Sequence, residues 1–387
     1  MILPAAGSTS IAAGSTLIVG GGLAGAAAAC QLAQQGQPVT LFERERQARH
    51  KVCGEFISVE ADRHLAALGL DLASLGAVPI ERVRIACRHA LITSALPFAG
   101  SSLTRRRLDA ALLAHAEAAG ADTRQGCGVR RAVADGAGAT LLELDGGERL
   151  GGRSVLLATG KHELRGLRRP PPSQDQVCFK SYFMLAAPSR RALDGHVELV
   201  LFRDGYGGLQ MVEGGLANLC LVTTRARLTR DGGTWRNLLA SLTAESPHLR
   251  SRLQHADECL DRPLTIARVP YGFLHRTAPE APRDLFRLGD QMAVIPSFTG
   301  DGMAIALHTA AQAVRSVLGA EPAASYHDRM RRALGPQMRL AGGLYAIGRT
   351  VPGQAMMLLG ARLWPGLVQR LASATRVPDH AGTLSPA

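Results

Sequence analysis

Hydrophobic and polar positions divide the chain into an alternating strand–helix–strand start, a strand-rich middle and a helical end. Residues 16–19 are a short apolar run, and the alanine-rich residues 23–35 that follow have helical spacing and stop at Gly36. Residues 39–42 are a second apolar run. Strand, tight turn, helix and strand within roughly 30 residues predict a βαβ unit.

The same pattern predicts the elements further along. We expect a helix at residues 103–119 and a buried strand at 153–158. Strands at 177–185, 196–202, 207–212 and 217–223 are separated by glycine-rich turns, and Gly214-Gly215 is typical of a hairpin turn. A strand at 284–288 precedes a helix at 302–318, and the chain after residue 322 has mostly helical spacing.

These elements predict an α/β fold with a Rossmann-like nucleotide-binding domain, an inserted and mainly antiparallel β-sheet domain, and a helical C-terminus. We place the nucleotide-binding domain at residues 15–75, 100–165 and 280–320. The inserted sheet, expected to bind substrate, takes residues 76–99 and 166–279. Residues 1–14 are expected to be a disordered leader, and residues 321–387 form the helical C-terminal region.

The charge balance is basic, but its make-up argues against a nucleic-acid partner. The chain of 387 residues carries 44 Lys+Arg against 32 Asp+Glu, a formal net charge of +12. Lysine stands only at Lys51, Lys161 and Lys180, and the arginines are spread along the chain rather than clustered. With 46% apolar and 20% charged residues, the composition excludes wholesale disorder.

Cysteine usage predicts a reducing compartment. The seven cysteines are an odd number without a C-x-x-C pair, which disfavours a disulfide framework or a structural zinc site. The twelve histidines include no H-E-x-x-H pair, so no metal site is predicted. Because residues 1–15 also lack the basic start of a secretory signal, we expect the protein to be cytoplasmic.

The C-terminal region holds the most apolar stretch, at residues 354–371. It is interrupted by Arg362, Pro365 and Arg370, so it is too broken to predict a membrane-spanning helix. Two interpretations stay open, a packed helix pair and a surface that contacts lipid.

A glycine fingerprint follows the first strand. Gly20, Gly22 and Gly25 satisfy G-x-G-x-x-G, which gives a tight turn, close backbone approach to a pyrophosphate, and close helix–strand packing. The N–H groups at Leu23 and Ala24 open a helix whose N-terminus attracts phosphate. Glu43 ends the second strand and is placed to bind ribose hydroxyls, as in NAD or in the ADP half of FAD.

A second strand–turn–helix motif lies some 260 residues later. Gly289-Asp290 ends a strand, and the turn from Pro296 through Gly300, Asp301 and Gly302 to Met303 opens a helix. A simple NAD dehydrogenase does not need this second motif. An extended FAD does, because its ribityl chain and ring lie far from the ADP, so the pair of motifs favours a flavin.

Three further segments carry a resemblance to a known family. Lys51-Val52-Cys53-Gly54-Glu55 is similar to a K-x-C-G segment, and residues 104–109 are similar to an R-x-x-L-D helix start that begins near Arg105. The strand pair from Tyr206 to Asn218 is similar to one that covers a flavin ring. Over about residues 15–320, the chain resembles the FAD-dependent oxidoreductases of the aromatic-hydroxylase superfamily, most closely the geranylgeranyl-reductase-like branch.

The resemblance implies bound FAD, reduction by NAD(P)H or another electron donor, and no separate nicotinamide-binding domain. With the motifs, it implies cofactor contacts at Gly20, Gly22, Leu23, Ala24, Gly25, Glu43, Arg44, Lys51, Cys53, Gly54, Arg105, Thr159, Gly160, Gly289, Asp290, Pro296, Gly300, Asp301, Gly302 and Met303. It places Tyr206 and Asn218 at the substrate, and Cys53 is the candidate catalytic residue, as a proton donor or a group that tunes the ring.

The sequence departs from several relatives. Residues 158–162 stand where many hydroxylases carry an Asp-Gly pair, and Gly208-Leu209-Gln210 replaces the aromatic and Phe-Pro of isoprenoid reductases. Trp235 and Trp364 are the only tryptophans, so the W-x-W-x-x-P signature of flavin halogenases is absent. These departures disfavour a standard aromatic hydroxylase, an isoprenoid reductase and a halogenase.

The expected function is therefore an FAD-dependent oxidoreductase that reduces or hydroxylates a hydrophobic small molecule, such as a polyketide, quinone or lipid. One alternative is a flavin-dependent monooxygenase of a phenolic metabolite. An alternative of another class is a dinucleotide-binding protein without catalysis. The protein is expected to be a monomer or homodimer, and peripheral membrane contact through the C-terminal helices stays open.

Overall fold

A computed structural model describes residues 10–11, 14–135, 138–171, 175–364 and 366–378. The strands are β1 (Ser10–Ile11), β2 (Thr16–Val19), β3 (Val39–Glu43), β4 (Phe56–Ile57), β5 (Val78–Cys87), β6 (Ala90–Ser102), β7 (Asp122–Gln125), β8 (Val129–Ala134), β9 (Thr140–Leu144), β10 (Arg149–Gly151), β11 (Ser154–Leu157), β12 (Gln176–Met184), β13 (Gly195–Phe202), β14 (Gly205–Met211), β15 (Ala217–Thr224), β16 (Asp257–Glu258), β17 (Leu264–Ala267) and β18 (Leu285–Arg287). The helices are α1 (Leu23–Gln34), α2 (Val59–Ala67), α3 (Arg105–Ala118), α4 (Ala187–Leu193), α5 (Arg225–Arg230), α6 (Trp235–Glu245), α7 (Pro247–Leu253), α8 (Gly302–Leu318), α9 (Ala323–Gly348), α10 (Val351–Leu363) and α11 (Leu367–Ala374).

A five-stranded parallel sheet, in the order β18-β11-β2-β3-β7, forms the Rossmann-like domain that is predicted to bind a nucleotide and is called the nucleotide-binding domain below. The central strand β2 is buried along its whole length, which is why its sequence is a continuous apolar run rather than an alternating one. Helix α1 connects β2 to β3 and packs against α3 and α8. The predicted βαβ unit and its fold class are confirmed.

The inserted domain is a second sheet, in the order β16-β12-β15-β14-β13-β5-β6-β4, with β17 also pairing with β12. The hairpin β5–β6 joins it through a parallel pairing of β5 with β13. On one face, alternate residues such as Phe179, Leu219 and Leu221 pack against α6 and α7. The opposite face of β12, β14 and β15 lies against the nucleotide-binding domain.

The hydrophobic pattern of the sequence did not predict some of the elements. Helices α4 to α7 lie within the stretch predicted to be mainly strands, and β8, β9 and β10 form a separate small sheet. Within the predicted leader, Ser10–Ile11 form a strand that pairs with β10. Residues 1–9 and 12–13 of that leader lie outside the described residues.

The C-terminal region is helical as predicted. Helix α9 runs for 26 residues with Pro336 inside it, and α10 and α11 follow. Among the described residues, no helix has the length and apolar character needed to cross a membrane. All seven cysteines are unpaired thiols.

A buried carboxylate holds the inserted domain together. Glu198 on β13 is fully buried and pairs with Arg84 of β5, with Arg252 Nη2 at 3.0 Å and with His248 Nε2 at 2.7 Å. Burial by itself would raise the pKa of Glu198, but hydrogen bonds from His248 and Arg252 outweigh it and lower that pKa to about 2. The carboxylate of Glu198 therefore connects β13, β5 and α7.

We expect Glu198→Gln to destabilise the protein by roughly 3–5 kcal/mol at neutral pH, because it leaves buried cations without their counter-charge. The depressed pKa of Glu198 contributes stability that is complete above its unfolded value of 4.5 and is lost as the pH falls towards about 2. Urea denaturation at several pH values, with exposed Glu148→Gln as control, measures this. Equal stabilities of Glu198→Gln and the wild type at neutral pH would contradict it.

Candidate functional site

The predicted motifs meet at the carboxyl edge of the parallel sheet. Strand β2 ends before Gly20, and β3 ends at Glu43. Strand β11 ends shortly before Gly160, and β18 shortly before Asp290. Because the carboxyl ends of parallel strands share one edge, the order of the strands places Asp290, Gly160, Gly20 and Glu43 along a single cleft.

The first glycine turn is built for close approach. Gly20 has φ +106°, and a Cβ there would stand 2.6 Å from the carbonyl oxygen of Ala158. A Cβ on Gly25 would stand 1.9 Å from the oxygen of Gly20, so only glycine allows α1 to pack this tightly on the turn. At Gly22 the space is open, and the nearest atoms are charged groups of Lys51 at 3.4 Å and Arg105 at 3.7 Å.

Two cations share one carboxylate beside this turn. Lys51 Nζ lies 2.7 Å from Asp109 Oδ2, and Arg105 Nε lies 2.9 Å from Asp109 Oδ1. The N-terminus of α1 has no acidic residue in its first turn and no side-chain cap. The local charge is therefore net positive at a helix N-terminus, which fits a pyrophosphate. Sequence reasoning identified Lys51 and Arg105 but missed Asp109, which fixes both of them.

Glu43 lies where a ribose contact was predicted. Its Oε2 accepts a hydrogen bond of 2.7 Å from the N–H of Gly21, and its Oε1 accepts one of 2.9 Å from Glu45. These bonds hold the carboxylate next to the glycine turn. Arg44 points to the other side of the cleft, with Nη2 3.1 Å from His162 Nε2.

Glu55 joins the two domains from inside the protein. It is fully buried, and its φ of +63° is unusual for a residue with a side chain. Its carboxylate lies 2.5 Å from the equally buried Lys180 Nζ of β12 and accepts bonds of 2.9 and 3.0 Å from the Tyr182 hydroxyl. It also accepts the N–H of Arg105 at 2.7 Å, at the start of α3. Such a strained, paired acid fixes segment 51–55 between both domains.

Cys53 lies in this fixed segment. Its Sγ accepts a hydrogen bond of 3.3 Å from the N–H of Glu55. Asn218 of β15 donates Nδ2 to the carbonyl oxygens of Cys53 and Gly54, at 3.2 and 2.9 Å. Asn218 is buried, so in this structure it positions the segment, and its predicted substrate contact stays a prediction.

The second motif, at Gly289-Asp290, contacts helix α8 on one side and the turn after β11 on the other. Gly289 has φ +56°, and its N–H donates to Thr309 Oγ1 of α8 at 2.8 Å. Asp290 is partly exposed and faces Gly160, where a Cβ would stand 4.0 Å from Asp290 Oδ2. Thr159 Oγ1 donates to the oxygen of His162, which closes the turn after β11.

Lys161 is a site residue that sequence reasoning did not select. Its Nζ donates to the carbonyl oxygen of Val52 at 3.3 Å, which connects the turn after β11 to segment 51–55. Burial would lower the pKa of Lys161, but the charge of Asp290 and nearby thiols outweigh it and raise that pKa. The available signal was its position directly after Thr159-Gly160 at the cleft edge.

A cluster of aromatic side chains covers the second motif. The hydroxyl of Tyr206 on β14 and that of Tyr271 both bond Ser297 Oγ, at 2.5 and 2.8 Å. Tyr345 of α9 packs edge-on against both rings, and Phe298 packs on Tyr206. Tyr206, predicted at the substrate, therefore lies beside the turn that was predicted to face the flavin.

The turn from Pro296 to Met303 is held in place by Arg376, which belongs to the C-terminal region. Asp301 is fully buried with Oδ1 3.3 Å from Arg376 Nη1, and Arg376 also donates to the carbonyl oxygen of Thr299. The side chains of Pro296 and Met303 are buried, and Gly300 has φ +73°. The N–H of Asp301 donates to Thr299 Oγ1 at 3.3 Å. At Met303, in the first turn of α8, the backbone N–H rather than the buried side chain is therefore the part available to a cofactor.

Comparisons with known proteins agree with this geometry. Residues 18–71 match the family described as an NAD(P)-binding Rossmann-like domain. No curated protein has a significantly similar sequence.

Solved structures share the fold over almost the whole chain. The flavin-dependent brominase Bmp2 is 15% identical with a TM-score of 0.79, and the match covers 97% of this chain and 96% of that one. The myxobacterial chondrochloren halogenase CndH, described as FAD-dependent, is 18% identical with a TM-score of 0.72, covering 94% and 90%. PqsL of Pseudomonas aeruginosa, a probable FAD-dependent monooxygenase, is 18% identical with a TM-score of 0.67, covering 89% and 98%.

The chain therefore has the fold of FAD-dependent halogenases and monooxygenases. The predicted fold class and the likeness to FAD-dependent oxidoreductases are confirmed at the level of fold. None of these three proteins is named as a geranylgeranyl reductase, so that finer resemblance stays a prediction.

The buried Asp301 predicts a pH effect on stability. Burial raises the pKa of Asp301 to about 7 from an ordinary 3.8, although Arg376 opposes the shift. The stability that this carboxyl contributes is complete below the unfolded value and is lost as the pH rises through about 7. We expect the melting temperature of Asp301→Asn to rise relative to wild type between about pH 5 and pH 8.

Thermal melts across that pH range measure this difference, with exposed Asp261→Asn as control. If the ion pair with Arg376 were the dominant contribution, the variant would lose stability relative to wild type as the pH rises. That result would contradict a raised pKa for Asp301.

Proposed function

We propose that this chain is an FAD-dependent oxidoreductase that hydroxylates a hydrophobic, aromatic or polyketide-like small molecule. The observation that carries the proposal is the pair of glycine turns, Gly20–Gly25 and Gly289–Gly302, on one sheet edge with cations between them. A nicotinamide dinucleotide alone would be held by the first turn without contacting the second, whereas FAD is long enough to contact both.

The residues present fit FAD along its length. Glu43 suits the ribose hydroxyls, and Lys51 with Arg105 suits the pyrophosphate at the N-terminus of α1. Asp290 suits the ribityl hydroxyls. The N–H groups at the start of α8, from Gly302 onward, suit the electron-rich edge of the flavin ring.

When bound, FAD would accept electrons from NAD(P)H and make O₂ reactive towards the substrate. The chain's own contribution is to bind, orient and exclude water. Glu55 and Asn218 fix the segment that carries Cys53, and Lys161 adds a positive charge at the cleft near Asp290.

The aromatic cluster supports the choice of substrate. Tyr206, Tyr271 and Tyr345 bring ring edges together beside the second turn, and an aromatic surface of this kind suits a flat apolar molecule. Their hydroxyl groups are bonded within the protein, to Ser297 Oγ and to Gln176 Nε2. Burial raises the pKa of the Tyr271 hydroxyl well above its usual value, and that of Tyr206 also rises. These hydroxyls stay protonated at neutral pH and can donate hydrogen bonds.

An oxidative reaction is favoured over the reduction that the sequence also allowed. Three of the structural neighbours are named as a brominase, a halogenase and a monooxygenase, which supports chemistry of the oxidising kind. Halogenation is less favoured, because the two tryptophans Trp235 and Trp364 exclude a W-x-W-x-x-P signature. The unpaired cysteines support a reducing, cytoplasmic location.

The cofactor is tested with Gly22→Ala. The new methyl group has no atom closer than 3.4 Å, so the protein should fold normally, but the methyl fills the approach to the pyrophosphate. We expect FAD affinity to fall by about tenfold or more, measured by flavin fluorescence quenching on the apoprotein. The matched control is Gly342→Ala in α9, where a Cβ meets nothing within 4 Å.

Two results would contradict the proposal. A folded wild-type protein that binds NAD(P)H but no FAD would make it a nicotinamide-binding protein. A protein that binds FAD yet shows no NAD(P)H oxidation with any aromatic or polyketide substrate would be a non-catalytic dinucleotide-binding protein. Product analysis with bromide or chloride present separates hydroxylation from halogenation.

The role of Cys53 is tested separately. If its thiol donates a proton, Cys53→Ala should lower turnover by about 100-fold or more while FAD content is unchanged, and Cys53→Ser should retain more activity. Exposed Cys259→Ala is the control for loss of a thiol elsewhere. Unchanged turnover of Cys53→Ala in single-turnover kinetics would exclude a catalytic role.

A further inference from the structure

Helix α10 turns a polar side chain towards the protein interior and apolar side chains towards solvent, which is the reverse of the usual arrangement in an amphipathic helix. Its buried face carries the polar Gln354, whose Nε2 donates to the carbonyl oxygens of Phe202 and Gly348 at 2.9 and 2.8 Å. Its solvent face carries Met356, Leu359 and Leu363, which are 58%, 57% and 66% exposed. At 100° per residue these three side chains lie together, opposite Gln354.

The exposed apolar surface continues past the end of the helix. Trp364 follows α10 directly and is 68% exposed. Of the six large hydrophobic side chains that are exposed within the described residues, these four adjoin one another. We call Met356, Leu359, Leu363 and Trp364 the α10 apolar patch. A contiguous patch of this kind on a soluble fold marks an interaction surface, because scattered single residues are the normal case.

The charged side chains in the stretch of sequence that contains the α10 apolar patch are all positive. Between Asp328 and Asp379 the sequence contains no aspartate or glutamate. The same stretch contains arginines at positions Arg329, Arg331, Arg332, Arg339, Arg349, Arg362, Arg370 and Arg376. The last of these is used inside the protein, but Arg362 and Arg370 are exposed beside the patch.

More arginines flank the start of α10. Two of the residues that bond Gln354 are Cys87 and Phe202, and each is followed directly by an arginine at a hairpin tip, Arg88 or Arg203. Those two, with His89 and Arg230, line a cavity of about 500 Å³. Three acidic groups offset part of this charge, since Asp231 and Glu245 pair with Arg227, and Asp204 pairs with Arg230 and Arg203. The four arginines Arg88, Arg203, Arg227 and Arg230 outnumber these three acids, so the local charge stays positive.

We propose that the α10 apolar patch docks on an anionic lipid bilayer, with α10 lying in the plane of the interface. An apolar helix face with tryptophan at its end and arginine as its only charge fits the headgroup region of such a membrane. Negative lipid attracts each nearby arginine, which complements the basic stretch. A second copy of this chain fits less well, because it would bring two basic stretches together.

The test is co-sedimentation of the full chain with vesicles of phosphatidylcholine alone or mixed with phosphatidylglycerol. Wild type should bind the mixed vesicles, less strongly as salt rises, and bind neutral vesicles much less. The double variant Leu359→Glu/Leu363→Glu should weaken binding by about tenfold or more, because it places charge on the helix face that would enter the bilayer. Both residues are exposed, so folding should be unaffected.

The matched control is Met184→Glu at the end of β12, an exposed apolar residue outside the patch. A second readout is tryptophan emission in a Trp235→Phe background, where only Trp364 remains. A shift of that emission to shorter wavelength with anionic vesicles supports insertion of the patch.

Three outcomes would overturn the proposal. Equal binding of the double variant and wild type would place the contact elsewhere. Absence of vesicle binding together with concentration-dependent dimerisation that the double variant abolishes would make the patch a contact between copies. Absence of vesicle binding together with patch-dependent binding of an acidic protein would make the partner a protein rather than lipid.

Discussion

The buried ion pair between Glu55 and Lys180 is the interaction on which the site depends. Glu55 belongs to the segment that follows β3, and Lys180 belongs to the inserted sheet, so one pair fixes the two domains against each other. Both side chains are completely buried, and breaking such a pair from one side leaves an uncompensated charge in the interior. The strained backbone at Glu55 is therefore held in place by both domains.

Around this pair, the cleft is organised by charge. Lys51, Arg105 and Lys161 supply three cations along one edge of the sheet, and Asp109 fixes the first two without neutralising both. A polyanionic ligand would complete this balance, which is why a phosphate-containing cofactor suits the cleft better than a neutral ligand. The inserted sheet covers the cleft with polar and aromatic side chains. Arg376 of the C-terminal region pairs with Asp301 and so holds the second turn in place.

Much of the fold was predictable because its signals are local. The βαβ unit, the strands β12 to β15 of the inserted sheet and helix α8 follow from apolar periodicity and glycine position, and their bounds agree with prediction to within about three residues. The strands β4, β5, β6, β16 and β17 of the same sheet were not predicted. Helices α4 to α7 were missed because they are short and lie in a strand-rich context, so tertiary packing rather than periodicity stabilises them. The strand at Ser10–Ile11 was missed because its pairing partner is distant in the chain.

The sequence by itself determined the nucleotide fingerprint, since Gly20 and Gly25 are required by backbone conformation and close packing, and Gly22 leaves room for a pyrophosphate. It also determined the acid at Glu43 and the second turn. Only the tertiary structure decided which side chains meet, because pairings such as Glu55 with Lys180 join residues more than a hundred positions apart. It likewise decided that α10 turns its apolar face outward, since periodicity shows that a helix has two faces but not which of them is buried.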